Sequence, residues 1–279
     1  MAFFLPNGIG GSTGDALAIA APLFMSGKVW YVKDTTGVDA ASPEGLDRLA
    51  PLATIGQAHT NAADGDIIVC LANHAETISS VMTISKRVTI IGEGSETLSD
   101  GLRPTVTLTI GGAANHVFAL TGVRVQIRNV KFLPRTSAGT GSFIQTATAN
   151  HRITGCRFES NNHSNGPSVL LDSGANLVHF ESCTWVATGT STADRPDSGL
   201  RASAALTGLR MDGCVFDGGT TGYETSTGNP WAMDCDAGAI TDYQVEGLSL
   251  LRGADLRLHA SSVGYCNPQV TTGSSRLDV

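Results

Sequence analysis

The chain has 279 residues, a formal net charge of −7, and 15% charged against 41% hydrophobic residues. That balance can build a core, but it offers no Lys/Arg run to track a phosphate backbone, which excludes nucleic-acid wrapping. No apolar stretch reaches the roughly 18–20 residues needed to cross a bilayer, and 33 glycines favour turns and short strands over helices.

Residues 1–28 lie outside every pattern that follows. They read as an N-terminal docking arm whose binding residues are Phe3, Phe4, Leu5, Leu23 and Phe24. The apolar stretch Ala16 to Met25 is broken by Pro22 and preceded by Asp15 rather than by Lys or Arg, so no signal peptide is expected. Gly8 to Gly14 superficially suggests a phosphate loop, but it has no strand before it and no Gly-Lys-Ser/Thr end. In residues 53–63, Ile55, Ala58 and Ala62 share one face at helical spacing. A short amphipathic helix there would cap the open end of a stacked fold, which otherwise exposes core and strand edges. Apolar strands follow at 65–71, 87–92 and 105–110.

From residue 125 a repeat appears. Val125 and Ile127 precede Val130 and Phe132; His151 and Ile153 precede Cys156 and Phe158. Val178 and Phe180 precede Cys183 and Trp185; Leu209 and Met211 precede Cys214 and Phe216; Tyr243 and Val245 precede Leu248 and Leu250. Period-two alternation is a strand with one buried face. The break between the two halves holds Asn129, Gly155, Ser182, Gly213 or Gly247, mostly types that tolerate the left-handed backbone of a sharp corner. Each unit is therefore strand, corner, strand. The third apolar positions are 26, 27, 31 and 34 residues apart, a solenoid period with variable loops. Stacking lines up Cys156, Cys183 and Cys214 in one inner column and Phe132, Phe158, Trp185 and Phe216 in the next. With no C-x-x-C pair among the six cysteines, the column reads as small hydrophobes in a narrow core rather than as a metal site. No metal or cofactor is expected. His151, at an inward position, reads as a core histidine.

Insertions follow the aromatic column each time, at residues 134–142, 159–167, 186–199 and 217–238, so they emerge on one side. Such a surface suits contact with other proteins. Two groups carry candidate chemistry. Glu181 and Asp212 hold equivalent places on consecutive coils, and paired carboxylates can hydrolyse a glycosidic bond; the plainer reading is an exposed acidic pair at a bend. Tyr223 and Trp231, near Asp234 and Asp236, are candidate loop contacts for a glycan; the plainer reading is a loop packing its own Trp.

Trp30-Tyr31-Val32, Pro51-Leu52-Ala53-Thr54-Ile55, Gly65-Asp66-Ile67-Ile68-Val69 and Val88-Thr89-Ile90-Ile91-Gly92 make residues 29–255 resemble the pectin-lyase-like superfamily of right-handed β-helices, including those of phage tailspike and other virion proteins. The resemblance implies an all-β, single-stranded right-handed parallel β-helix, with residues 256–279 as a C-terminal tail. It carries over no catalytic residue. The N-T-D, D-D, G-H-G and R-I-K groups of polygalacturonase-like sequences are absent, and no acidic calcium cluster with a neighbouring base can be assembled. The expectation is a rigid, more structural than catalytic, phage-type virion protein: a capsid decoration, spike or tail component. It would assemble in the host cytoplasm with other virion proteins, as a homo-oligomer, with a trimer suggested by analogy with spikes, and without nucleic acid or membrane partners. The alternatives are a polysaccharide depolymerase, lyase or hydrolase, and a non-catalytic module binding surface glycans.

Overall fold

A computed structural model describes residues 27–40, 44–98, 101–111, 116–134, 141–160, 167–188, 198–219, 231–235, 237–252, 254–272 and 277–278. Among them, a 16-stranded and an 8-stranded sheet, both parallel, hold nearly all of the regular structure. The rest is one α-helix, Ile55–Asn61, and an antiparallel hairpin of Ser95–Leu98 with Gly101–Pro104.

Each central coil contributes one strand to the smaller sheet and two to the larger. Phe118–Leu120 leads to Gln126–Arg128 and Lys131–Leu133; Val169–Leu171 leads to His179–Glu181 and Thr184–Ala187. The expected columns are present. Ile127, Ile153, Phe180, Met211 and Val245 are successive register partners, as are Phe132, Phe158, Trp185, Phe216 and Leu250. The rings stack, with centroids 5.0, 5.0 and 4.5 Å apart from Phe132 through Phe158 and Trp185 to Phe216. Burying each such side chain contributes roughly 1.5–3 kcal/mol. Thiols form the adjoining column: Thr184 N–H donates to Cys156 O and Val215 N–H to Cys183 O. The Cys183 thiol donates to Ile153 O of the coil before (3.3 Å). All six cysteines are free, and burial pushes the Cys183 thiol far above its usual range.

The corner between the two strands behaves as its composition requires. Asn129, Gly155, Ser182, Gly213 and Gly247 have φ of 54°, 62°, 52°, 58° and 58°, in the left-handed region. Asn129 also donates its side-chain amide to Gly92 O (2.8 Å) and Gly94 O (2.9 Å), stitching two coils. A Cβ on Gly92 would fall 2.0 Å from Asn129 O, so that rung accepts only glycine. A second left-handed column, Arg124, Asn150, Leu177, Gly208 and Asp242, lies two residues before Gln126, Arg152, His179, Arg210 and Gln244 of the larger sheet. It was not expected from the sequence.

The helix lies where its spacing placed it, with Ile55, Ala58 and Ala62 buried. Thr54 caps its N-terminus by accepting from Gln57 N–H. Lys86 donates to the carbonyls of His59, Thr60 and Ala62 at its other end. The free edge of Val29–Val32 is taken by a strap: Tyr31 N–H donates to Gly45 O (2.6 Å) and Leu52 N–H to Tyr31 O (2.8 Å). Beneath it, buried Asp66 accepts from Lys28 N–H (2.7 Å), the Trp30 indole (2.9 Å) and Ala63 N–H (2.8 Å). At the other end, stacking continues past residue 255. Val263–Thr272 pairs with Ile240–Leu251, and Asp255–Leu258 with Trp231–Cys235. The tail boundary drawn from the sequence therefore falls inside the solenoid, because the fifth repeat's apolar alternation weakens while its pairing persists.

Candidate functional site

On the outward face of the larger sheet, two rows of polar side chains flank the inner column of Phe180 and its partners. Pairing in register puts Gln126, Arg152, His179, Arg210 and Gln244 in one row. The other holds Arg128, Thr154, Glu181, Asp212 and Glu246. Alternation alone dictates this: with Phe180 inside, His179 and Glu181 must face out.

The rows are cross-linked between coils. Arg152 Nη2 lies 2.6 Å from Glu181 Oε2, and His179 Nε2 lies 2.7 Å from Asp212 Oδ2. Thr154 Oγ1 also reaches Glu181 Oε2, at 3.4 Å, and Gln244 donates to Glu246. The Arg210 guanidinium makes no hydrogen bond or ion pair with a described residue. Glu181 and Asp212 are direct Cα partners, so one rung of roughly 4.8 Å separates their backbones.

These contacts constrain the chemistry. The hydrogen bond from Arg152 holds the Glu181 carboxyl below its usual range. Glu181 is thus an ionised base or nucleophile at neutral pH, not the protonated acid that a carboxylate pair requires of one member. His179 is the group suited to moving a proton. With Nε2–H directed at the Asp212 carboxylate, Nδ1 carries the basic lone pair. A base oriented by a carboxylate and flanked by Arg152 and Arg210 can remove a proton beside a carbonyl group or assist water.

The structure brings together the predicted Glu181 and Asp212 and adds Arg152, His179 and Arg210, which sequence reasoning passed over. Their signal was the unassigned residue between the first two apolar positions of each repeat: Arg152, His179 and Arg210 fill it on three consecutive units. Trp231 corrects an expectation. It is 3% exposed, in the strand Trp231–Cys235, with the Arg257 guanidinium 5.3 Å over its ring and Arg257 paired to Asp234 (2.9 Å). A ring this buried is no exposed sugar platform. Tyr223, Asp236 and the arm residues Phe3, Phe4, Leu5, Leu23 and Phe24 lie outside the described residues. His151 is buried, 2.9 Å from Thr148 Oγ1, and burial lowers its pKa to about 4, so it is a neutral core histidine at physiological pH. Among the described residues no group of three or more His, Cys, Asp or Glu side chains is placed to hold a metal ion.

No family model matches the chain, and no curated protein matches it. Two solved structures resemble it. A rhamnogalacturonan lyase aligns with a TM-score of 0.53 at 12% identity, over 91% of this chain and 63% of that one. An alginate lyase from Paenibacillus sp. str. FPU-7 aligns with a TM-score of 0.38 at 10% identity, over 81% of this chain and 96% of its own. The first likeness shows that the overall fold of this chain is shared with that lyase. This chain spans less than two thirds of that lyase's length.

Proposed function

We propose that this protein is a polysaccharide depolymerase whose reacting group is the Arg152–Glu181 and His179–Asp212 cluster. One observation carries the reading: His179 is oriented by Asp212 and stands between two arginines on an open sheet face. In this reading His179 Nδ1 is the base, Asp212 positions it, Glu181 holds Arg152 in place, and Arg152 and Arg210 stabilise negative charge that develops in the reaction. The lyase likeness supports the choice of substrate class. The test is incubation of purified protein with pectic and bacterial surface polysaccharides. Reducing ends and the ultraviolet absorbance of unsaturated ends are then measured. Unsaturated ends identify elimination, and reducing ends without them identify hydrolysis. His179→Ala and Glu181→Gln are expected to abolish release from a folded protein. Binding without release in the wild type would leave a glycan-binding module in its place.

A second reading is a non-catalytic virion component, a capsid, spike or tail part docked through residues 1–28. What favours it is that the outward charges largely pair from coil to coil. Lys131–Glu159, Arg152–Glu181, Asp217–Arg252 and Asp234–Arg257 join the solenoid as a stiff rod would require. Deleting residues 1–28 is then expected to block incorporation into particles while the β-solenoid stays folded, and undiminished incorporation would count against it.

A further inference from the structure

The outward donor row does not stop at the reacting cluster. Gln126, Arg152, His179, Arg210, Gln244 and Tyr265 are register partners on six successive strands, one per coil. Five rungs of roughly 4.8 Å set the row at about 24 Å. An extended pyranose chain advances by nearly this spacing per residue. Gln126, Arg210 and Tyr265 can donate to hydroxyls, whereas Arg152, His179 and Gln244 already pair with Glu181, Asp212 and Glu246; Tyr265, a ring 53% exposed, stands at the far end. Beside it, Glu181, Asp212 and Glu246 offer acceptors. The charge is balanced: Arg128, Arg152 and Arg210 stand against three carboxylates, with no surplus of cations to select a polyanion.

We propose that this row is a linear binding track taking one sugar residue per coil, and that its ligand is an extended glycan of low charge density lying along the solenoid axis. The inference rests on the polysaccharide reading above and adds to it a direction, a register and a charge class. Gln126 and Tyr265 are the ends of the track and lie outside the reacting cluster. Arg210, free of partners among the described residues, is its uncommitted central donor.

The experiment titrates the full chain with cello- and chito-oligosaccharides of increasing length, with oligogalacturonates as the anionic comparison. Affinity for one neutral series is expected to rise with each residue to about six, one for each coil in the row, and then level off. Gln126→Ala and Tyr265→Ala should each bring the plateau forward by one residue. Each should weaken the longest ligand about threefold to tenfold, the worth of one polar contact, and leave short ligands unaffected. Circular dichroism checks that both variants fold. A plateau unmoved in both end variants, or tighter binding of oligogalacturonates at every length, overturns the track while the depolymerase reading stands on its own assay. Binding to none of the oligosaccharides overturns the track as well, and joined to an absence of cleavage it takes the depolymerase reading with it.

Discussion

Within a single strand of the larger sheet, neighbouring residues obey different rules. Phe180 is fully buried between Ile153 and Met211, while His179 and Glu181, on either side of it, face solvent and pair with the coils before and after. The inward positions are interchangeable only among apolar types of similar volume, because they fill a narrow interior. The outward positions are chemically diverse, and coil-to-coil pairing is their only structural duty. Stability thus resides in the columns, and the capacity for chemistry in the rows.

The largest effect expected lies in the columns. Trp185→Ala removes a ring stacked at 5.0 Å on Phe158 and at 4.5 Å on Phe216, and should destabilise the fold by about 4 kcal/mol. Replacing Arg152 and Glu181 together by Ala, which removes an ion pair about two-fifths exposed, should cost less than about 1 kcal/mol. Denaturant midpoints of the two variants measure both. An outward pair as costly as the ring would erase the distinction between column and row.

A buried charge sharpens the comparison at the next magnitude. Asp66 sits under the first strand. Burial alone would raise its pKa, but hydrogen bonds from Ala63 N–H, the Trp30 indole and Lys28 N–H outweigh that and hold it below 3.8. A carboxyl with a folded pKa below its unfolded one contributes stability above the unfolded value, near pH 4, and loses it as pH falls through the folded value. Asp66→Ala is expected to cost about 2 kcal/mol at neutral pH by leaving the buried Trp30 indole and two part-buried amide donors unpaired. It should also flatten the acid limb of the stability curve below about pH 4. An acid limb identical to the wild type would show that other carboxyls govern acid unfolding.

How much of this was legible in the sequence follows from the same division. The columns were readable because apolar periodicity and a recurrent Asn, Gly or Ser break are local signals, and Cys156, Cys183 and Cys214 marked the register. The cluster was half readable. Glu181 and Asp212 stood out as acids at equivalent places, whereas Arg152 and His179 mattered only once the coils were stacked, since each bonds a residue 29 or 33 positions away. Trp231 misled because a Trp beside acids in a long Gly-rich segment resembles a loop; pairing of Trp231 with Asp255 put it in a strand instead. The hairpin at 95–104 left no trace in the apolar pattern.

The two corners give the smallest effect and separate backbone from side chain. At the legible corner, Gly155 has φ of 62° and nothing within 4 Å of where its Cβ would stand. Gly155→Ala therefore carries only the backbone penalty and should destabilise by about 1 kcal/mol. At the corner that composition hid, Leu177 holds φ of 55° while 49% exposed. A leucine there already bears the left-handed penalty of roughly 1–2 kcal/mol and recovers little by burial. Leu177→Gly removes that strain but enlarges the entropy of the unfolded chain, so the net gain should be about 0.5 kcal/mol. Opposite signs at two corners of matching φ would mean that backbone geometry built both turns and that residue type advertised only one. If Leu177→Gly destabilises instead, its side chain, which lies against Gly208, contributes packing that outweighs the strain, and the hidden corner is held by contacts rather than by conformation.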